Sequence, residues 1–361
     1  MVTTRVKYIR TLGELDGIED IWRELQSRND HSSLFQSWEW NRTWCEHFLK
    51  DGESGRLDTR LIESCDGRAL AILPFYRKRF AGPMLELAQF LGHRMSYQND
   101  ILLAEPENSE FTSEIAKSMV SDLGYRMILH LRHLDEGSPF TQELARMGLA
   151  EIQCTRLKVE ADPTAHDPSL RFGRSTRKRF RGQVNKLERE YGMSFHVRCG
   201  DEFMGALENL VDLHQQRFAS KKQETQFSGE NLQFRKDVMA RFSSDIFEIL
   251  QLHAGENIIA STLMANDNGR YFCIQTGFDP EFANYSPMRI LLTEAIRRGF
   301  EDLDCKSFDL GPGYEQYKFD WKPSVGMNYT CCIGGPGPYA QSMAALYRFV
   351  FRRSVPGPPK E

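Results

Sequence analysis

The sequence predicts an α/β (α+β) chain of two similar domains in tandem, each a mixed, mostly antiparallel sheet flanked by helices. Three observations predict this fold class. The chain has 361 residues, 40% of them hydrophobic, which is enough to bury two ordinary cores. Each half shows the same order of patterns: helix, antiparallel meander, helix, strand. A stretch containing Asp and Pro at residues 162–168 separates the halves.

The first half begins with a helical apolar pattern near residues 18–25. Trp40, Trp44 and Phe48 then recur at fourfold spacing, and we interpret this aromatic stripe as core rather than as a ligand site. Short β-type runs joined by Gly or Asp turns predict a meander. The predicted strands are 57–63, 69–76, 84–91, 100–103, 127–131 and 152–159, and the later helices are 109–123 and 140–147.

The second half repeats this order, and its best-defined element is the helix at residues 287–298. Ser286 suits the N-cap position, Pro287 suits the first helical position, and Gly299 is expected to end the helix. The other predicted helices are 203–220 and 231–242, and the predicted strands are 246–252, 258–265, 271–278 and 307–310.

Composition excludes several classes of protein. The formal charge of −4 is unlike that of a protein that coats nucleic acid, and no apolar stretch is long enough to span a membrane. The start of the chain lacks the apolar region of a secretion signal, so we expect a cytoplasmic protein. The eight scattered cysteines predict reduced thiols, and the spacing of the nine histidines predicts no metal site.

Three segments of the second half carry a family resemblance: TGFDPEFANYSP at 276–287, AIRRG at 295–299 and FDLGPGYEQYKFDW at 308–321. Together they resemble the BioF2-like/CelD-like branch of the GNAT acyltransferases. RSTRKR at 174–179, LHQQRF at 213–218 and SWEWNRTW at 37–44 are also similar to that branch, so the resemblance covers nearly the whole chain. The tandem layout also resembles Fem-type ligases, which transfer amino acids from aminoacyl-tRNA to cell-wall precursors.

The resemblance implies a domain for each half. Residues 1–165 are expected to form a degenerate GNAT-like domain that completes an acceptor cleft. Residues 166–350 are expected to form the catalytic GNAT domain, with a basic helix at 171–190, and residues 351–361 a disordered tail rich in proline.

GNAT proteins hold the pantetheine arm where a strand pair opens and the pyrophosphate at the following helix start. The resemblance therefore implies an acyl-CoA or acetyl-CoA site. The residues carried over to this site are Gly277, Tyr285, Ser286, Met288 and Arg289.

The helix start departs from the family pattern, because Ser-Pro-Met replaces the common Ser-Pro-Gly and the glycine-rich loop is missing. Pro287 also removes one N–H donor. Either Arg289 compensates as a bidentate phosphate ligand, or it is a solvated residue of the first turn.

Asp309 is expected at the end of a strand, where the following Gly-Pro-Gly turn would place its carboxylate at a sheet edge. Its alternative role is to anchor that turn.

Tyr317 and Lys318 lie beyond the turn, where a phenol can protonate a leaving thiolate and a lysine can stabilise a carbonyl oxygen or hold a phosphate. Fem-type ligases carry a similar Tyr-Lys pair; without the resemblance, Lys318 reads as a surface lysine.

His214 and Arg217 lie one helical turn apart and are candidates for binding the acceptor, with His214 as a possible general base or a plain structural histidine.

The segment 171–190, which includes Arg177, has eight cations and two carboxylates, a net of +6 that leaves the rest of the chain at −10. It is either a solvated helix or a platform for an anion. Coenzyme A phosphates, a phosphorylated glycan precursor and an acidic acyl carrier protein are favoured over tRNA.

We therefore expect an acyltransferase that moves an acyl group from acyl-CoA or acyl carrier protein to an amine or hydroxyl of a sugar or small metabolite. The resemblance to CelD-like proteins favours exopolysaccharide biosynthesis. Two alternatives stay open: a Fem-like transferase dependent on aminoacyl-tRNA, and a non-catalytic scaffold of a polysaccharide-synthesis complex.

Overall fold

A computed structural model describes residues 4–49, 55–80, 84–162, 167–220, 225, 227–242, 246–313 and 315–354. The chain divides into two compact units: unit 1 is residues 1–155 and 327–361, and unit 2 is residues 156–326. This division differs from the sequence-based one because it assigns the last helix and most of the last strand to unit 1. Part of the expected joint, residues 163–166, lies outside the described residues.

Unit 1 contains two sheets. One has the strand order β1-β3-β4-β7, and the strands of the other follow the order β15-β8-β6-β5-β2 within this unit. The helices of unit 1 are α1 (Leu12–Asp16), α2 (Glu19–Ser27), α3 (Trp38–Phe48), α4 (Ser109–Ser121), α5 (Pro139–Arg146) and α10 (Pro338–Ser354). Its strands are β1 (Thr4–Ile9), β2 (Arg56–Leu57), β3 (Thr59–Ser64), β4 (Ala69–Leu73), β5 (Phe75–Phe80), β6 (Leu85–Phe90), β7 (Leu102–Leu103), β8 (Met127–Asp135), the first part of β9 (Ala150–Glu160) and most of β15 (Ser324–Gly334).

Unit 2 contains one sheet, whose strands follow the order β10-β11-β12-β13-β14-β9. The three pairings from β10 to β13 are antiparallel, whereas β13 and β14 pair in parallel. The helices of this unit are α6 (Arg174–Tyr191), α7 (Phe203–Ser220), α8 (Gly229–Arg241) and α9 (Pro287–Glu301). Its strands are β10 (Met193–Arg198), β11 (Phe247–Ala254), β12 (Asn257–Asp267), β13 (Arg270–Phe278), β14 (Ser307–Pro312) and the end of β9.

The two units share one local topology, an antiparallel hairpin followed by a helical crossover to a parallel strand. In unit 1, α4 connects β6 to β8, and in unit 2, α9 connects β13 to β14. Each parallel pairing is short. It runs from Glu86–Met127 to Ala88–Leu129 in unit 1 and from Arg270–Ser307 to Phe272–Asp309 in unit 2. Beyond these pairs the strands separate, which opens each sheet at one place.

Most predicted elements are present, and the aromatic stripe of α3 is core, with Trp40 fully buried. The prediction that Gly299 ends α9 is wrong, because the helix continues to Glu301. Gly299 is buried, and a Cβ there would lie 2.9 Å from the Tyr271 ring, so the missing side chain lets α9 approach the sheet. The disordered tail was expected to begin at residue 351, but α10 extends to Ser354. Residues 355–361 lie outside the described residues.

Candidate active site

A cavity of about 200 Å³ lies in unit 2 at the start of α9. It is positioned by the end of β13, by the 3-10 turn Pro280–Tyr285 and by a second 3-10 turn, Gln316–Trp321. The cavity therefore lies where the parallel pair β13–β14 has separated. Its lining residues are Arg217, Phe278, Ala283, Ser286, Pro287, Met288, Arg289 and Tyr317.

The start of α9 offers fewer free N–H groups than an ordinary helix terminus. Pro287 has no N–H, and the N–H of Arg289 donates to the carbonyl of Ser286 (2.9 Å). Ser286 has left-handed backbone angles, and its side chain makes no capping bond; instead its hydroxyl accepts from Gln183 Nε2 (2.8 Å). Ser286 therefore occupies the expected N-cap position, but its side chain does not cap the helix, and an anion here depends on arginine side chains.

Arg289 is not a solvated residue of the first turn. Its guanidinium pairs with Asp320 at 2.8 Å, and both side chains are largely buried. The Nε atom of Arg289 is buried without a hydrogen-bond partner among the described residues. Arg289 thus faces the cavity with its charge partly balanced and with one donor still available.

Two side chains of α7 hold Thr276 on β13. His214 Nδ1 donates to the Thr276 carbonyl (2.9 Å), and Arg217 Nη1 donates to the Thr276 hydroxyl (3.3 Å). Burial lowers the pKa of His214, which favours the neutral imidazole. Only Arg217 lines the cavity, with its guanidinium 5.1 Å from the centre of the Phe278 ring. Both residues therefore contact Thr276, but only Arg217 also reaches the cavity.

Gly277 is needed for this contact between α7 and β13. A Cβ at Gly277 would lie 2.7 Å from the backbone nitrogen of His214 and 3.0 Å from the carbonyl oxygen of Leu210. The backbone of Gly277 thus faces α7, and the residue is absent from the lining of the cavity.

Tyr317 and Lys318 point to different surroundings. Tyr317 lines the cavity, and burial raises the pKa of its phenol, so that the hydroxyl keeps its proton at neutral pH. Lys318 is buried; its Nζ donates to the carbonyl of Pro312 (3.1 Å) and pairs with Glu315 (2.8 Å). Lys318 is thus not a surface lysine, and its contacts fix the turn that carries Tyr317.

Asp309 lies in β14, which runs between β13 and β9, and it is the last residue of β14 that pairs with β13. Its carboxylate is buried, forms an ion pair with Arg156 and accepts from the N–H of Gly311 (2.8 Å). The last contact is the turn-anchoring bond that the sequence analysis gave as the alternative role. Pairing on both sides of β14 encloses the carboxylate, and its catalytic role stays a prediction.

The helix α6 borders the loop that forms one wall of the cavity. Gln183 Nε2 donates to the Asn284 carbonyl (3.1 Å) as well as to Ser286, and the Tyr285 hydroxyl donates to Glu190 (2.5 Å). Tyr285 therefore faces α6. Arg177 of α6 donates to the carbonyl of Phe172 (3.2 Å) and does not line the cavity.

Five predicted site residues meet at the cavity: Arg217, Ser286, Met288, Arg289 and Tyr317. The sequence analysis missed the partners of the charged groups, namely Arg156 and Asp320, together with Gln183. Arg156 is 153 positions from Asp309, so no local spacing could have indicated their contact. For Gln183, helical spacing would have indicated only which face of α6 carries it.

A larger cavity, of about 580 Å³, lies in unit 1 between α4 and α5. It contains none of the predicted site residues, so the smaller cavity remains the candidate site. No group of three or more His, Cys, Asp or Glu residues in the described part of the chain is arranged to hold a metal ion. Within the same ranges, none of the helices has the length and apolar character needed to cross a bilayer.

One segment of the chain matches a known family model, and the whole structure resembles solved structures. Residues 174–319 match the family model of the acetyltransferase (GNAT) domain. A comparison with curated proteins found no match. The structure is similar to the crystal structure of FemX, with a TM-score of 0.60 and 10% identity over 96% of this chain and 100% of that chain.

Two further solved structures share the architecture. One is the C-terminal DUF2156 domain of a protein named as a lysylphosphatidylglycerol synthetase from Agrobacterium fabrum (TM-score 0.54, 12% identity, 93% of this chain and 97% of that chain). The other is a conserved protein of unknown function from Bacteroides thetaiotaomicron (TM-score 0.51, 11% identity, 92% and 99%). These identities show fold alone, and the fold is a mixed α/β arrangement of tandem GNAT-like domains.

Proposed function

We propose that the protein is a GNAT-type acyltransferase that moves an acyl group from a thioester of coenzyme A or acyl carrier protein to an amine or hydroxyl. The observation that carries this proposal is the cavity at the start of α9, beside the opening between β13 and β14 and within the matched GNAT segment. On the resemblance to the BioF2-like/CelD-like branch, the proposed acceptor is a sugar or small metabolite of exopolysaccharide biosynthesis.

The reaction is a direct transfer. The acceptor nitrogen or oxygen attacks the thioester carbonyl, its bond to the acyl carbon forms, and the carbon–sulfur bond breaks. The proton lost by the acceptor ends on the released thiol, so no oxidant or reductant is required. Negative charge develops first on the carbonyl oxygen and then on the leaving sulfur, and donors placed at these atoms lower the barrier.

Tyr317 is the proposed donor to the leaving sulfur. Its phenol lines the cavity and stays protonated, so it can donate a hydrogen bond as the thiolate forms. Arg217 and Arg289 are the proposed ligands of the donor's phosphates. Both line the cavity, and Pro287 leaves the helix start without one N–H donor that could otherwise bind a phosphate. Asp309 and Lys318 are proposed as positioning residues, because their charged groups are buried against protein partners.

Substitution of the Tyr317 hydroxyl tests the proposal. We expect Tyr317→Phe to lower kcat with an acyl thioester by about 10²-fold, the usual contribution of one positioned proton donor. Tyr339→Phe is the matched control, because Tyr339 is 49% exposed on α10, and it should retain full activity. Loss of thioester and formation of acylated amine would be followed by mass spectrometry. Full activity of Tyr317→Phe would refute its assignment.

Calorimetry with coenzyme A and acetyl-CoA tests the class of donor independently of the acceptor. We expect heat of binding that is reduced in Arg217→Ala, since Arg217 lines the cavity. If neither acetyl-CoA nor free coenzyme A binds, coenzyme A is not the donor, and the thioester of an acyl carrier protein is the form of the proposal that stands.

The similarity in fold to FemX supports a second candidate, a transferase that uses aminoacyl-tRNA. It covers 96% of this chain, and the lysylphosphatidylglycerol synthetase domain has the same architecture. The absent glycine-rich loop also favours a donor without pyrophosphate. Filter binding of tRNA at several salt concentrations distinguishes the candidates, because each neutralised phosphate adds about −0.7 to −0.9 to the slope of log affinity against log salt.

A further inference from the structure

We infer that the exposed basic face of α6 is the docking surface for an acidic acyl carrier protein, which presents its thioester to the cavity at the start of α9. This inference rests on the proposed acyl transfer and names the form in which the donor arrives. The basic face is defined by Arg174, Lys178 and Arg181, and all three residues are exposed.

Helical geometry places these cations together. Residues 174, 178 and 181 follow the i, i+4, i+7 spacing and share one face of α6. The opposite face carries Phe180 and Leu187, which are buried in the core of unit 2. The charges therefore point away from the core, over about 10 Å of helix axis at 1.5 Å per residue.

The cations at the beginning of α6 are not balanced by the helix itself. The first turn contains no acidic residue, and Gly173 at the N-cap provides no side-chain bond. Cations near a helix N-terminus oppose the macrodipole and cost stability. Further along, Lys186 and Arg189 both pair with Glu190, whereas no ion pair to Arg174, Lys178, Arg179 or Arg181 occurs in the part of the chain that the structure describes. An acidic partner would remove this repulsion.

The same helix is bonded to the wall of the cavity. Gln183 donates to Ser286, which lines the cavity, and the Tyr285 hydroxyl donates to Glu190. A protein bound to the outer face of α6 would thus lie beside the cavity, and a flexible arm attached to it could enter where β13 and β14 separate. This arrangement suits a donor whose thioester is carried on a phosphopantetheine arm.

An acidic protein fits this surface better than RNA does. The positive charge is confined to one helix, and the chain outside residues 171–190 has a net charge of −10, which would repel an extended polyanion. Phe172 and Phe180, the aromatic residues within residues 171–190, are buried, so neither ring is available to stack on a base. A single acidic helix of the carrier would match the length of the basic face. The carrier would then not contact the acidic remainder of this chain.

The decisive experiment uses the full chain with Arg174→Glu, Lys178→Glu and Arg181→Glu combined. The matched control combines Lys117→Glu, Arg126→Glu and Lys306→Glu, three exposed cations outside α6 with the same change in net charge. The probes are a discrete acyl carrier protein in holo form, its acetylated form, and acetyl-pantetheine, which has no carrier. Binding is measured by calorimetry, turnover by mass spectrometry and folding by circular dichroism.

We expect reversal of the basic face to weaken holo-carrier binding and to raise KM for the acetylated carrier by about tenfold or more, with turnover of acetyl-pantetheine unchanged. The control variant should change neither carrier binding nor the KM for the acetylated carrier. Equal carrier binding by the wild-type and reversed proteins would overturn the inference. So would an absence of carrier binding together with salt-dependent tRNA binding that the reversal abolishes. Carrier binding without acetyl transfer would leave the docking surface in place and instead contradict the proposed acyl transfer.

Discussion

Asp309 is buried within β14, and its two carboxylate oxygens have different partners. One faces Arg156 on β9, and the other accepts from the N–H of Gly311, whose φ of 75° forms the bulge at the end of β14. A buried carboxylate is stable only when such partners replace water. The carboxylate therefore fixes the strand end beneath the turn that carries Tyr317.

Removing one member of this pair should destabilise the protein. We expect Asp309→Asn to lower the free energy of unfolding by about 3–5 kcal/mol, because it leaves Arg156 charged in a buried site. Urea unfolding would measure the loss.

A double-mutant cycle provides the control. Arg156→Met should cost a similar amount, and the combination of Arg156→Met with Asp309→Asn should cost clearly less than the sum. Additive effects would show that the two side chains are not coupled. If Asp309→Asn instead folds with normal stability but without activity, Asp309 is a catalytic base and not a positioning residue.

At the scale of the residue, the sequence predicts which residues belong to the site better than it predicts what their side chains contact. The resemblance selected Arg217, Arg289 and Tyr317, and all three line the cavity. It could not distinguish them from their neighbours His214 and Lys318, because the direction of each side chain depends on contacts that form only in the folded chain. His214 turns to Thr276, 62 positions away, whereas Lys318 turns to its own loop.

At the scale of the element, the contact between α7 and β13 sets one side of the cavity. It brings two backbones close at Gly277, so that Arg217 on α7 reaches Thr276 and Phe278 on β13. Small changes in this spacing move Arg217 relative to Tyr317.

A methyl group at this contact should disturb both stability and activity. We expect Gly277→Ala to cost about 1–3 kcal/mol, since its Cβ would lie 2.7 Å from the backbone of His214. Gly205→Ala is the matched control on α7: nothing lies within 4 Å of its Cβ, and alanine favours a helix by up to about 1 kcal/mol. Thermal unfolding of both variants measures the difference, and equal stability would contradict the close contact.

Elements with a strong periodic pattern were predictable, and edge strands were not. The helix α9 follows from its start at Pro287 and its apolar face. The strands β1 and β10 were missed because they are largely exposed; in β10, Phe195 and Val197 are both more than one third exposed, so no buried face marks the strand. The strand β15 and the helix α10 lie beyond residue 321, where the family resemblance ends, and were not predicted.

At the scale of the whole molecule, buried titratable groups of unit 1 make its stability depend on pH. Burial lowers the pKa of His93 and His130 from 6.5 to about 3 and raises the pKa of Asp100 from 3.8 to about 7. Between pH 6.5 and 3.8 the unfolded chain therefore holds two more protons on the histidines, and the folded chain holds one more on Asp100. The net difference of one proton favours unfolding as the pH falls.

We expect stability to fall by about 1.4 kcal/mol per pH unit in this range from the three groups together. Asp100→Asn should make the fall steeper by one proton. His93→Asn combined with His130→Asn should reverse the sign of the slope, because only the proton held by folded Asp100 then remains and stability rises as the pH falls. Urea unfolding at four values between pH 4.5 and 7.5 measures these slopes. Identical slopes in all three proteins would show that the groups titrate alike in the folded and unfolded chain.

The last strand and helix of the chain belong to unit 1, although unit 2 is synthesised before them. β15 pairs with β8 from Asn328–Asp135 to Gly334–Ile128, and Ala340 and Ala344 of α10 are buried in the same unit. On the ribosome, unit 2 can therefore fold as soon as it emerges, while unit 1 waits with one side of β8 uncovered. Unit 1 therefore begins before unit 2 and is completed after it, so an open sheet edge at β8 persists until β15 has been made.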